Sequence, residues 1–565
     1  MQDLRAATEQ TAEELRARIA ILEAALAAER ARADAERDRA EALLADRDRL
    51  RAAYEQVQIE LELLRRRIFV AKAERVDTQQ LELEFKAKKE ELDELARRLA
   101  GEPTVEPTPP PPPKTRKRPK GRRDVAATPI AEERHEILTP ELEGKAERIG
   151  FEESYQLGWR KGGPVKIVIA RAKYRAKTDA GQTVVTAPMP KRLFGRCLAA
   201  PSLLAKIATD KFADGLPLFR QEDRFEREGL PLDRGTMCRW LEDLGNTVGC
   251  VVLAMRDEAM RTSFCIATDA TGVAVQPEPS DGKGRRPCRR GHFFVMLADR
   301  DHVFFEYTAH ETSAAVGEMF RGFSGYVQAD AKSVYDVLFR APAEGDEQVA
   351  REEVGCWAHA RRRFYEAAIA KDKVAREALY RIHRLFELEQ AWSGVPPAVR
   401  KGLRQKHAAP EVDAFLVWAH GEYERVKTQR GLLRSAFGYV VRQRAALRRY
   451  LDDGRLRIDN NASERELRRI SVGRKAWLFV GSDDHAQAAA NLFSLIASCR
   501  LHDLDPEAYL RDLIRVLPHW PNDRYLELAP RYWAATRRRL DERELHLPLG
   551  DLTVPPPPEQ QPTPR

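Results

Sequence analysis

From Met1 to Ala100 the chain contains neither proline nor glycine. Over the same stretch apolar or tolerated side chains recur at steps of three, four or seven: Leu15, Ile19, Leu22, Leu26, Ala33, Ala40, Leu43, Leu50, Tyr54, Val57, Leu61, Leu64 and Ile68. Glu29, Glu36 and Arg47 interrupt the seam without breaking its register. A heptad pattern this long predicts a coiled coil over residues 1–100. One helix cannot bury such a seam alone, so the chain is expected to self-associate. A single helix folded back on its own domain is the alternative.

At 565 residues the chain is too long for one core, and about three or four units is the prior. No apolar run reaches the roughly 18–20 residues of a membrane span. The N-terminus is charged from Asp3 onward, unlike a secretory signal. A soluble, cytoplasmic protein without a membrane partner is therefore expected. The seven cysteines, at 197, 238, 250, 265, 288, 356 and 499, form no C-x-x-C pair. Reduced, mostly buried thiols and no zinc site are expected. The net charge of +8 is modest for the length, so its placement matters more than its sum.

Composition shifts divide the remainder. Residues 101–129 carry a proline run, which is a stiff spacer, then a basic run from Lys114 to Arg123. That run reads as a phosphate contact or as a solvated linker. Residues 130–196 hold short β-like pieces. Residues 197–260 are helical, with a break at Gly229 and a new helix after Asp233, a good N-cap. Helix, short glycine turn, helix is the outline of a helix-turn-helix, and of many plain helical hairpins. On the first reading Arg234, Thr236 and Arg239 contact DNA. Residues 261–365 alternate strands and helices, the texture of an α/β layer with a mixed sheet. Residues 366–455 read as a helical insertion, 456–500 as a return to the core, and 501–547 as a helical C-terminal element. The proline-rich tail 548–565 is expected to be disordered.

Three acids stand out. Asp269 and Asp330 each sit where an apolar strand is expected to run out, and Glu464 in the first turns of a helix. Each alone also reads as a turn or helix cap, and Asp459 and Asn460 are N-cap candidates. Together, two strand-borne carboxylates and one helix-borne carboxylate make an oxygen-only site. Such a site suits Mg²⁺ or Mn²⁺, two ions of which serve phosphoryl transfer. Arg361, Arg362, Arg465, Arg468, Arg474 and Lys475 surround these motifs and suit phosphates. Trp477 suits base stacking or a core. His359 suits DNA contact, the ordering of a carboxylate, or a structural role. Glu466 is expected to be a solvated acid.

The segments 266-IATDATGVAV-275, 325-GYVQADAKSVYD-336, 355-GCWAHARRRFYEA-367 and 459-DNNASERELRRISVGRKAWLFVGSD-483 resemble the transposases of the IS66 insertion-sequence family. The likeness extends to 69-FVAKAERVD-77 and to the closing 500–530 region. It implies an RNase H-like catalytic core with an Asp-Asp-Glu triad and a helical insertion before the glutamate. By motif match the triad is Asp269, Asp330 and Glu464, which would also hold the metal. Many relatives carry a Cys-rich, zinc-finger-like segment after the coiled coil, whereas residues 101–196 here contain no cysteine. Relatives often have a second acid after the first of the triad, where this chain has Ala270.

The expected protein is thus a multidomain α and α/β bacterial transposase: coiled coil, helical DNA-binding region, RNase H-like mixed core with insertion, and helical C-terminal piece. It would cut insertion-sequence ends and join the 3′-OH to target DNA. It would be nucleoid-associated when bound, with accessory element-encoded proteins as further partners. The alternatives are a non-catalytic, transposase-derived DNA-binding protein and an RNase H-like nuclease without strand transfer.

Overall fold

The computed structural model describes residues 125–558 apart from 127, 161, 179–180, 278–286, 341–349 and 370–371, together with Glu29 and Glu36. The chain divides into two units, Met1–Arg118 and Pro119–Arg565. In the first, Glu29 and Glu36 are helical and exposed. The coiled coil expected over 1–100 otherwise lies outside the described residues, as does the linker up to 124. All strands and helices named here belong to the second unit.

Ala170, Ala172 and Tyr174 are buried while Arg171, Lys173 and Arg175 face outward, the period-two signature of a half-wet strand. This strand, β3 (Gly163–Thr178), centres a small mixed sheet. It pairs antiparallel with β2 (Glu147–Arg160), and along its other edge with β1 (Ala131–Ile137) and then β4 (Gly181–Thr186). The β1 pairing is parallel and the β4 pairing antiparallel.

Three helices follow: α1 (Pro201–Phe212), α2 (Leu218–Arg227) and α3 (Arg234–Thr262). Gly229, at φ 79°, takes the left-handed turn that ends the α2 region. The Asp233 carboxylate caps α3 by accepting the Thr236 N–H at 3.1 Å. At 29 residues, α3 runs well past a hairpin partner.

The larger sheet begins with an antiparallel meander of β5 (Cys265–Val275), β6 (Arg289–Ala298) and β7 (His302–Thr308). Helix α4 (Ser313–Met319) leads to β8 (Gly325–Gln328), which pairs parallel with β5, and β9 (Arg351–Val354) pairs parallel with β8. The strand order is β7-β6-β5-β8-β9.

Next come α5 (Trp357–Ile369), α6 (Lys373–Ala391), α7 (Pro397–Leu403), α8 (Ala409–Val426), α9 (Leu432–Arg442) and α10 (Arg444–Arg448). They enclose a core of their own, which includes Val354, Trp357 and Phe364. The packed unit therefore starts before the boundary expected at 366, because α5 turns its apolar face toward this core. Arg404 is 1 % exposed. Its guanidinium is satisfied by the Glu389 carboxylate and by the carbonyls of Tyr450, Asp453 and Leu456.

Helices α11 (Asn461–Trp477) and α12 (Asp483–Leu501) return to the larger sheet. Strand β7 is its edge, and α12 covers that edge chemically: Ser494 and Ser498 accept the N–H groups of Phe305 and Val303 at 2.8 and 3.0 Å. On another side α12 packs against α3 at Gly245, where a Cβ would stand 2.3 Å from the Ala488 carbonyl oxygen.

The chain closes with α13 (Pro506–Val516), α14 (Pro530–Arg537) and α15 (Glu542–His546). One apolar core runs from Val125 to Leu552 through the regions that the sequence divides at 196, 260 and 500. Those boundaries separate textures rather than cores.

The tail expected to be disordered from 548 is anchored as far as it is described. Leu549 and Leu552 are buried. Arg515 donates to the carbonyls of Leu547 and Asp551, and Arg524 to that of Pro555. Proline prevents helix here, but two leucines and these arginines hold the strap extended. The protein is a mixed α/β chain with two mixed sheets, and among the described residues no helix is long and apolar enough to cross a membrane.

Candidate active site

Asp269 lies in the middle of β5, opposite Val295 of β6, and not at the strand's end as expected. The hairpin with β6 carries β5 on to Val275. The parallel pairing with β8, however, stops at Ala267. Asp269 therefore sits two residues beyond the point where β5 and β8 part. Asp330 lies two residues after β8 ends at Gln328. Both carboxylates thus flank one opening in the sheet, a place where rigid strands present side chains to solvent.

Glu464 arrives from 195 residues beyond Asp269, in the first turn of α11. The segment just before it is pinned to every other part of the site. Gln328, two residues before Asp330, donates from Nε2 to the Arg457 carbonyl at 2.8 Å. The Trp357 N–H, two residues before His359, donates to the Ile458 carbonyl at 3.1 Å. Asn460 Nδ2 donates to the carbonyl of Thr268, the residue before Asp269, at 2.7 Å. Sequence reasoning assigned Asn460 to capping. Its side chain makes no cap bond and is instead buried, tied to Thr268 and to the Ser463 hydroxyl. Asp459 does accept the Asn461 N–H, at 3.1 Å.

Asp330 and Glu464 lie close enough to Asp269 to act on it electrostatically. Burial pushes the Asp269 carboxyl up to about 6, and the charges of Asp330 and Glu464 act in the same direction. The Ala270 N–H bond at 2.7 Å and the Lys332 ammonium oppose the rise. Asp330 Oδ1 is buried with no hydrogen-bond partner. Its other oxygen lies 3.9 Å from Lys332 Nζ, which also stands 3.4 Å from Glu311. An orphaned carboxylate oxygen on Asp330, with Asp269 within reach of the Asp330 and Glu464 charges, is a donor set that fits a hard divalent cation. In this conformation, however, no three His, Cys, Asp or Glu side chains among the described residues are gathered tightly enough to hold an ion.

His359 Nε2 lies 3.5 Å from Glu464 Oε1. Burial lowers the imidazole below its ordinary pKa, and the Glu464 and Asp330 charges pull against that. Its position suits ordering Glu464. Lys332, Glu311, Gln328 and Asn460 all bear on the site, yet no spacing rule could single them out, because each acts across the sheet.

The basic candidates fall into separate groups. Arg234 and Arg239 are exposed and Thr236 half-buried at the start of α3. Arg361 and Arg362 are exposed on α5, and Arg465, Arg468 and Lys475 on α11. Arg474 is not free: it bonds the Thr271 hydroxyl at 3.2 Å and the Gly272 carbonyl. Trp477 folds back on its own helix, with its Nε1 2.8 Å from where a Cβ of Gly473 would stand. Glu466 is not a solvated acid, since it pairs with Arg469 at 3.0 Å and both side chains are mostly covered.

Three family profiles match the chain. The one described as Transposase IS66 family covers residues 196–488, the IS66 C-terminal element covers 494–531, and one described as Transposase C of IS166 homeodomain covers 56–128. Similar curated proteins come from Sinorhizobium fredii and are themselves uncharacterized. The protein y4qI is 31% identical over 375 residues, 64% of this chain and 68% of the relative. The proteins y4hP and y4jD are each 27% identical, over 62% of this chain and over 65% and 70% of their own lengths. Since the first profile alone spans more than half of the residues, and its span contains Asp269, Asp330 and Glu464, the chain belongs to the IS66 transposase family.

Proposed function

We propose that this protein is a metal-dependent DNA transposase whose Asp-Asp-Glu site is Asp269, Asp330 and Glu464. The observation that carries the reading is the convergence of these three acids on one opening of the sheet, with Asp330 Oδ1 buried and unpartnered. The order β7-β6-β5-β8-β9, with an antiparallel meander followed by parallel strands, supports an RNase H-like core. Asp269, Asp330 and Glu464 would hold Mg²⁺ or Mn²⁺. When bound, two such ions lower the pKa of a water or 3′-hydroxyl and neutralise charge on the transferring phosphate.

The chain's own residues do the rest. Strands β5 and β8 hold two carboxylates on a rigid edge, and the Arg457–Asn460 segment brings Glu464 to them. His359 orders Glu464, while the exposed Arg361, Arg362, Arg465, Arg468 and Lys475 bind DNA phosphates. Water attacks the scissile phosphorus and frees a 3′-OH at the element end. That 3′-OH then attacks a target phosphodiester, joining the element and releasing the target's own 3′-OH. The α2–α3 hairpin, with Arg234, Thr236 and Arg239, reads the ends. The homeodomain-like profile at 56–128 supports a second DNA contact upstream. The heptad seam over 1–100 would join subunits as a coiled coil, so that two ends are held together. The protein works on the bacterial nucleoid, with or without accessory element-encoded proteins.

A cleavage and joining assay on the ends of the element that carries this gene tests the proposal. The full chain should cut and join only with Mg²⁺ or Mn²⁺, and Asp330→Asn should do neither while still binding DNA. Cutting and joining by Asp330→Asn would sink it. A second reading is a DNA-binding protein that no longer cuts. It is favoured by the loose spacing of the acids and by the His359–Glu464 contact at 3.5 Å. DNA binding without metal-dependent cleavage by the unsubstituted chain would establish that reading instead.

A further inference from the structure

Helix α11 ends in an unusual way. Leu478 adopts φ 64° and ψ −46°, and the Phe479 N–H reaches back to the Trp477 carbonyl at 2.8 Å. This is a γ-turn of the rare, strained kind, on a branched residue that is not glycine. Both flanks are held. The Leu478 N–H bonds the Arg474 carbonyl at 2.9 Å, and Val480 exchanges backbone bonds with Ala274 of β5 and with Gln276 just beyond it. The strain is not offset by burial, because the Leu478 side chain is 66 % exposed and that of Phe479 45 %. Strain maintained by its surroundings, in a segment that presents apolar side chains to water, points to a contact made outside the chain.

The surroundings indicate what that contact is. A shallow depression of about 340 Å³ opens beside Leu478, lined by Gly272, Arg289, Arg290 and Arg474. Gly272 has no side chain to fill it, and the Arg290 guanidinium lies across that glycine, 2.5 Å from where a Cβ would stand. Arg289 is paired with Asp483 and Arg474 with the β5 backbone, while Arg290 is exposed and has no ion pair among the described residues. Val480, next to Phe479, pairs with Val275, six residues beyond Asp269 along β5 and about 20 Å away. That distance corresponds to about six stacked nucleotides. Trp477, the aromatic that the sequence offers for stacking, is folded onto Gly473, which leaves Phe479 as the ring presented to solvent.

We propose that the Leu478–Phe479 turn is a wedge that unstacks one nucleobase of the DNA end, about six nucleotides from the cut, and that Phe479 stacks on this base beside Arg290. The occupant is an unpaired base with its phosphate. Phe479 and Leu478 meet its apolar face, and Arg290 meets the charge. This rests on the reading that the carboxylate site cuts DNA.

The test uses the full chain carrying Asp330→Asn, so that DNA is bound but not consumed. The probes are duplexes of each element end with 2-aminopurine placed singly at successive positions around the cut. The expected result is a rise in fluorescence, marking a base out of the stack, at one position near the sixth nucleotide. Phe479→Ala and Leu478→Gly should each abolish most of that rise. Affinity for a forked end with unpaired bases should fall on the order of tenfold in Phe479→Ala and less in Arg290→Ala. Leu478→Gly should melt no lower than its parent, because glycine relieves the turn. A rise that persists in both turn variants overturns the proposal, and so does the absence of a rise at every position. The cleavage reading is scored separately. Cutting by the unsubstituted chain without any rise overturns the wedge alone, whereas a rise without cutting supports the wedge and sinks the catalytic reading.

Discussion

Asn460 Nδ2 donates to the Thr268 carbonyl at 2.7 Å, a bond that joins the residue before the Asp269 position to the start of the Glu464 helix across 192 residues of sequence. Asn460 is 1 % exposed, so no water replaces the bond if it is removed. Asn460→Ala leaves a buried carbonyl unpaired and costs about 1–3 kcal/mol. DNA cutting should fall further than stability does, by on the order of 100-fold, because a shift of about 1 Å in a reacting group has that effect. Melting temperature and cutting rate, measured on the same preparation, check this. A rate loss no larger than the loss of folded protein would remove Asn460 from the positioning of Glu464.

Glu258 on α3 ties together three elements. It accepts from His302 of β7 at 2.8 Å and from the Tyr532 hydroxyl of α14, with Arg531 at 3.7 Å. Burial alone would push its carboxyl up, but these partners outweigh burial and hold it below its usual value. A carboxyl depressed in the folded state adds stability above its unfolded pKa, and that stability is lost as pH falls through the folded value. Glu258→Gln should therefore cost about 1–3 kcal/mol at neutral pH. The gap to the parent should close on acidification below about pH 4.5. Denaturant midpoints measured against pH read this, and a gap that widens in acid would contradict it.

Gly245→Ala places a methyl group 2.3 Å from the Ala488 carbonyl oxygen, where α3 and α12 cross. Backbone cannot rotate away, so the helices must separate, at a cost of about 1–3 kcal/mol. Gly317→Ala is the control, since a Cβ there meets nothing within 4 Å. Equal melting temperatures for the two variants would refute the close crossing.

Ending the chain at Leu547 removes the buried Leu549 and Leu552 and the Asp551 carbonyl that Arg515 bonds. Two buried leucines are worth about 3 kcal/mol or more. The truncated chain should melt several degrees lower and bind a hydrophobic dye. An unchanged melting temperature would return the strap to the disordered tail that its prolines suggest.

Much of the local structure was legible in the residues. Asp233 and Gly229 mark the break between α2 and α3 because capping and positive φ are properties of single residue types. The alternation of strands and helices over 261–365 reflects side-chain periodicity. The three acids were readable as candidates because two follow apolar strand-like runs, one lies in the first turns of a helix, and the segments around them resemble IS66 transposases. The position of Asp269 within β5 was not, since strand length depends on how far β6 continues to pair. Glu466 read as solvated because its partner Arg469 is only one of several arginines within reach along α11.

The chain's order of residue types accordingly determined its elements, their caps, the heptad seam and the three carboxylates. Only the tertiary structure decided that residues 457–460 bond to β5, β8 and the start of α5 together, that Ser494 and Ser498 close the β7 edge, and that Leu478 is strained in the open. The physical reason is the same in each case. A cap, a turn or a helical seam is set by residues within a few positions, whereas these features depend on backbone groups brought together from distant parts of the chain.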